Sequence, residues 1–260
     1  MQNNTFSTLF VGQNLIKLSA VDSTNNFLKR MLSNSEPLPE GTVIMADNQF
    51  EGRGQQESRW HAEPGKNLTF SILLRPAFLA IADQFLLNMA VSNALYIAVK
   101  DLVGEGLTVK WPNDLYFNDN KIGGMLIENI ISGSSIRACI VGIGLNVNQA
   151  HFKDGLEGIA GSLWQILHRD VNLIELLAQI CSQIEAAYLK LKAGTAAGLR
   201  ETYLNHLYQY NVMAAYRQNG EIIEGKIVDV SEKGLLSMET RIGLQTYNFK
   251  EIEFIKTHKK

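Results

Sequence analysis

Cysteine is scarce in this sequence: Cys139 and Cys181 are the only two in 260 residues, and each lies inside an apolar segment. That excludes a disulfide framework and a thiolate metal cluster, and the pair is expected as buried, reduced thiols. The five histidines are scattered, and there is no H-E-x-x-H run, no G-x-S-x-G elbow and no C-x-x-C pair. Zinc-ligand clusters and Ser-His or Cys-His nucleophiles are therefore unsupported. Charge of one sign is missing as well. With 24 Lys and Arg against 26 Asp and Glu, the net charge of −2 gives no basic footprint, so nucleic acid is not an expected partner. The apolar stretch 68–90 is broken by Arg75, Pro76 and Asp83, and no signal-peptide pattern opens the chain. These absences lead to the expectation of a cytoplasmic protein with no membrane association.

What is present is ordinary globular material, 46% hydrophobic and 19% charged. Strands are expected at 14–21, 42–49 and 67–74, with a helix at 22–32 capped by Asp22 or Ser23. Helical spacing over 83–103 ends at Gly104. "LTVKW", "LYF" and "KIGGMLIENII" follow, the last two a hairpin across "NDN" (118–120), and then a long strand, "IRACIVGIGLNVN". Two helices are expected at 172–191 and 195–209. From Tyr210 the texture changes to short alternating segments punctuated by Asn219-Gly220, Lys233-Gly234 and Gly243. That pattern predicts a small antiparallel barrel, residues 210–260, behind a helix-bearing sheet domain, residues 1–209. The "THKK" end reads as frayed.

Three stretches carry polar chemistry. In "GRGQQESRWHAEPGKN" (52–67), Gly52 and Gly54 allow a sharp turn and close approach of backbone to a ligand, and Arg53 offers a planar fork for an anion. It is neither a P-loop, since Asn67 follows Lys66, nor a dinucleotide fingerprint, since Glu57 stands where a third glycine belongs. From "GRG" alone a surface turn with a solvated arginine is the readier reading, but a long polar loop between apolar strands is a usual place for a ligand-covering lid. In "VKWPNDLYFNDNKIGG" (109–124), Pro112 ends a strand. Asn113 and Asp114 then sit at its mouth between Lys110 and Lys121, and Gly123-Gly124 inside a strand suggests a close approach. In "VGIGLNVN" (141–148), alternation leaves one face bare at Gly142 and Gly144 and polar at Asn146 and Asn148. That face suits a packed helix or a ligand groove. Cations and amides without an evident nucleophile suit a reaction in which two substrates attack one another.

"DSTN", "NQFEGRG" with Trp60, "KWPNDLY" with Lys121-Ile122-Gly123-Gly124, and "GIGLNVN", in that order, resemble the biotin–protein ligase family over most of residues 15–150. The resemblance implies an α+β fold: a mixed sheet flanked by helices, akin to class II aminoacyl-tRNA synthetases, with a small SH3-like C-terminal barrel. It implies that biotin and ATP form biotinyl-5′-adenylate and that biotin passes to one lysine of a biotin carboxyl carrier protein, with Mg²⁺ accompanying ATP. Carried over residue by residue, Arg53 and Lys121 are the catalytic cations, contacting both biotin and the nucleotide. Ser23, Thr24, Asn25, Gln49, Gly54, Gln55, Gly124, Leu126 and Gly142 belong to the biotin side. Trp60, Lys110, Asn113, Asp114 and Asn146 belong to the ATP side. No metal-ligand set follows from spacing.

Two features depart from the family. The loop continues "QQESR", so Gln55, Gln56 and Ser58 leave Arg53 and Arg59 as the only cations of "GRGQQESR". The "DSTN" motif begins at residue 22, which leaves no room for an N-terminal DNA-binding domain, so a monofunctional enzyme is expected. The alternatives are a lipoate or octanoate ligase of the same fold and a non-catalytic biotin-responsive binder. An exposed edge strand could support a homodimer.

Overall fold

Alternating apolar residues and short turns fold the first half of the chain into a mixed sheet, seen in a computed structural model that describes residues 5–33, 38–55, 58–152 and 155–256. The tail 257–260 and loop residues Gln56 and Glu57 lie outside the described residues. Strands β1 (Leu15–Val21), β2 (Val43–Gln49), β3 (Leu68–Leu74), β4 (Leu107–Lys110), β5 (Asp114–Phe117), β6 (Asn120–Ser132) and β7 (Ser135–Leu145) lie in the order β1-β2-β3-β7-β6-β5-β4. Only β1 and β2 run parallel, connected through helix α1 (Thr24–Ser33). The remaining neighbours pair antiparallel.

The two faces of the central strands have different fates. Phe70, Ile72 and Leu74 of β3 join Cys139, Val141, Ile143 and Leu145 of β7 in the main core. Helices α2 (Gln84–Val103) and α4 (Leu173–Lys192), which pack on each other, contribute to that same core. On the opposite face Leu73, Ala138 and Ile140 sit with Ile44 beneath Leu28 of α1. Further along, this second face continues as Ser71, Gly142 and Gly144, where side chains shrink and the face stops being a core. α2 is apolar and long enough to cross a membrane, and its burial accounts for that composition: most of it is enclosed by α4, α5 (Leu199–Asn205) and β4.

Some expected elements shift for identifiable reasons. The strand expected through residue 148 leaves the ladder after Leu145. Asn148 there exchanges side-chain hydrogen bonds with Val171, donating to its carbonyl and accepting from its N–H. The helix expected over 195–209 is confined to α5, because Gly198 precedes it in a left-handed conformation and residues 206–208 pair instead with Val109 of β4. A short helix that was not anticipated, α3 (Leu163–Leu167), is capped by Ser162, whose side chain accepts from the Gln165 N–H. Behind the sheet, the buried Glu185 of α4 accepts backbone N–H bonds from Leu9, Phe10 and Val11 at 2.7–2.9 Å, fastening the N-terminal segment to the helix layer.

Strands β8 (Met213–Gln218), β9 (Glu221–Val230), β10 (Leu236–Thr240), β11 (Gly243–Tyr247) and β12 (Glu253–Phe254) form a second, antiparallel sheet in the order β11-β10-β9-β8-β12. Where the sequence predicts a small antiparallel barrel, the structure has this antiparallel sheet, and no closed barrel is formed among the described residues: β11 and β12 are opposite edges with no ladder between them, and β12 is only two residues long. This sheet shares one core with the first: Tyr216, Ile227, Val230, Leu236 and Met238 belong to the same buried cluster as the α2–α4 layer.

Candidate active site

The bare stretch of the second face is the floor of a cavity of about 230 Å³. Gly142 and Gly144 are small of necessity. A Cβ at Gly142 would lie 2.3 Å from Asn25 Oδ1, and one at Gly144 would lie 2.4 Å from the Trp60 indole. Neighbouring β6 contributes Gly124 and Leu126 on the same side, with Leu126 opposite Gly142.

One end is closed by polar groups that the start of α1 brings against β2 and β3. Ser23, Thr24 and Asn25 are buried. The backbone N–H and hydroxyl of Thr24 both donate to Gln49 Oε1, at 2.7 and 3.0 Å. The Ser71 hydroxyl lies 2.7 Å from Thr24 Oγ1 and 2.6 Å from Asn25 Oδ1. It has one proton for two acceptors, so this end favours a ligand that brings N–H donors of its own.

The cations enter from the sides. Lys121 Nζ stands 2.7 Å from Asp114 Oδ1 across the β5–β6 hairpin and 5.8 Å from the Trp60 ring. Its backbone is pinned on both sides: its N–H donates to Ile159 O and its carbonyl accepts from Gly161 N–H. Arg53 Nη1 donates to Asn26 Oδ1 at 2.7 Å and lies 3.3 Å from Glu128 Oε1. The loop carrying Arg53 is drawn together by hydrogen bonds from Gly54 N–H to Ser58 O and from Trp60 N–H to Gly52 O, so Trp60 comes down on Gly144. Trp60 Nε1 is buried and has no hydrogen-bond partner among the described residues. Asn113, after the cis Trp111–Pro112 bond, bonds the Met125 carbonyl through its amide and presents Asp114 to the cavity.

Of the residues singled out from sequence, Ser23, Thr24, Asn25, Gln49, Arg53, Gly54, Gln55, Trp60, Asn113, Asp114, Lys121, Gly124, Leu126 and Gly142 line this one cavity. Lys110 and Asn146 do not. The Lys110 ammonium donates to Tyr116 Oη and lies 4.8 Å from the Tyr116 ring and 4.9 Å from the Phe254 ring, facing the second sheet. Burial lowers its pKa there. Asn146 is buried behind Lys121, its Nδ2 donating to Gly161 O. Sequence reasoning missed Phe70, Arg59 and Lys250 on the cavity wall. Lys250 arrives from the turn after β11, 129 positions beyond Lys121, and no spacing rule links them. Neither cysteine lines the cavity, and burial pushes the Cys181 thiol up to about 12.

A model of the biotin/lipoate A/B protein ligase family matches residues 18–146. The bifunctional ligase/repressor BirA of Bacillus subtilis is 29% identical over 249 residues, covering 95% of this chain and 75% of that protein. The biotin–[acetyl-CoA-carboxylase] ligase of Paracoccus denitrificans is 35% identical over 132 residues, 50% of this chain and 53% of its own length. The structure of the Aquifex aeolicus biotin protein ligase in complex with biotin and ATP superposes with a TM-score of 0.78 at 28% identity, covering 94% of this chain and all of that one. The matched segment contains the glycine floor, the Arg53 loop and the Lys121 hairpin, and on these likenesses taken together the chain belongs to the biotin–protein ligase family.

Proposed function

We infer that the chain activates biotin with ATP and transfers the biotinyl group to a lysine of a biotin carboxyl carrier protein. The observation that carries this reading is the convergence of Arg53 and Lys121 on a cavity that, among the described residues, is lined by neither histidine nor cysteine. A biotin carboxylate and an ATP α-phosphate repel each other, and two cations offset that repulsion where they meet. A carboxylate oxygen attacks the α-phosphorus and pyrophosphate leaves, giving the mixed anhydride. The acceptor amine then attacks the acyl carbon, losing a proton as AMP departs. Trp60, already over Gly144, supplies a flat apolar surface for the adenine and shields the anhydride from water. At the other end, the Thr24–Gln49–Ser71 network is placed to bind the ureido group.

Among the described residues no group of three His, Cys, Asp or Glu side chains is placed to hold a metal. That fits Mg²⁺, which is commonly carried on substrate phosphates with few protein ligands, and bound there it neutralises phosphate charge. We read the second sheet as SH3-like and residues 210–260 as a separate unit in sequence. A homodimer would use β1, because the outer edge of β4 is covered by residues 206–208.

The test is biotin-dependent exchange of labelled pyrophosphate into ATP, run beside lipoate and octanoate. Exchange with biotin alone is expected. Exchange only with lipoate would reassign the pocket, and none with any acid would point to a binding protein.

A further inference from the structure

Glu128 is one step beyond the cavity wall, and the proposed reaction gives it no part. It continues the row that Gly124 and Leu126 begin on β6, so the pleat points it to the same face as the cavity. A carboxylate beside a site that must gather two anions works against binding unless its charge is used. It is used twice. Oε2 accepts from Asn25 Nδ2 at 2.8 Å, and Oε1 lies 3.3 Å from Arg53 Nη1. The Asn25 amide also donates to the Leu126 carbonyl at 3.2 Å. With Nδ2 so engaged, the Asn25 carbonyl must face Ser71 and Gly142. The Arg53 contacts, to Glu128 and to Asn26 Oδ1, all fall on Nη1. A guanidinium has five N–H donors in a rigid fork, so anchoring one terminal nitrogen orients the others while leaving them for a ligand.

We propose that Glu128 is a positioning residue for adenylation, fixing with one carboxylate both the acceptor face of Asn25 at the closed end and the fork of Arg53 at the reacting centre. The proposal rests on the adenylating function given above. Glu128 is not among the residues that line the cavity, so its effect passes through Arg53 and Asn25.

The experiment is a double-mutant cycle on pyrophosphate exchange, using E128Q, R53A and the double variant, with thermal melting of each. E128Q keeps the volume and a carbonyl acceptor for Asn25 but removes the charge that holds Arg53. Exchange kcat is expected to fall roughly tenfold in E128Q, as for loss of one charge-assisted hydrogen bond, with an unchanged melting temperature. In the R53A background the same substitution should change kcat less than twofold, since the group it positions is gone. An E128Q enzyme as fast as wild type, or an equal loss in both backgrounds, overturns the proposal. E128D serves as the conservative control: rescue toward wild type is expected, and an E128D enzyme no better than E128Q counts against a charge role. Failure of the wild-type protein to exchange with biotin would instead refute the functional reading, so the two failures are distinct.

Discussion

Lys121 and Asp114 form an ion pair on the cavity wall, at 2.7 Å, and both are only partly exposed. The carboxylate restrains a flexible ammonium that would otherwise lose rotamer entropy on engaging a phosphate. Lys121→Ala should lower adenylate formation by roughly a hundredfold or more, as for removal of one preorganised charge-stabilising donor. Transfer from chemically supplied adenylate should suffer less. Single-turnover measurement of the two half-reactions checks this, and equal losses in both would argue against a role at the phosphorus. Residues of this kind were legible because glycine, proline and a sharp hairpin mark their neighbourhood. Lys110 carried similar marks, yet it turns toward Tyr116 and Phe254. A lysine's reach does not reveal which of two adjacent aromatic or anionic neighbours it will meet. Glu128 is the reverse case: it was not singled out from sequence, although a charge at an alternating position inside "KIGGMLIENII" falls on the cavity face.

At the scale of elements, α1 matters because its first turn is also the end wall of the cavity. Its approach is set by Asp22, whose two carboxylate oxygens each accept from Arg30 at 2.8 Å, with Asn26 also donating. The Arg30 guanidinium holds the Asp22 carboxyl well below the usual carboxylate range. A depressed folded-state pKa means the stabilisation is present above the unfolded value and lost as pH falls through the folded one. Arg30 is largely exposed, so Asp22→Asn should cost no more than about 1 kcal/mol at neutral pH. The difference from wild type should shrink progressively below about pH 4. Urea unfolding of both proteins across that range is the check, and a gap that stays constant into acid would mean the pair contributes nothing. Strands with clean alternation or a continuous apolar run, such as β3, were readable within a residue or two. α3 was not, because five residues give no periodicity, and its start depends on Ser162 meeting Gln165 and Gln149 after folding.

At the scale of the molecule, the two sheets are joined by more than chain connection. Trp111 Nε1 donates to Gly234 O at 2.9 Å, and its ring packs 5.3 Å from Phe249, next to the Lys250 that reaches the cavity. Phe85, edge-on to Tyr203, carries the shared core across this boundary to Phe249, 6.1 Å away between ring centroids. Calorimetry should therefore show one unfolding transition for the whole chain, and truncation after residue 209 should lower its midpoint and abolish exchange. Two independent transitions would show the sheets to be autonomous. The compositional change at Tyr210 was visible in sequence, while this dependence was not, because its partners are over a hundred residues apart.

The register of β7 between β3 and β6 has a consequence of its own. Pairing of Ser71 and Leu126 with Gly142 sends Gly142 and Gly144 upward as bare backbone, beyond the Ala138 and Ile140 that α1 covers. A slip of one residue would send Val141, Ile143 and Leu145 up in their place, filling the chamber while leaving the hydrogen-bond ladder largely intact. The sheet thus acts as a gauge, and a misthreaded chain of native-like secondary structure would be recognisable by its lost capacity for ligand.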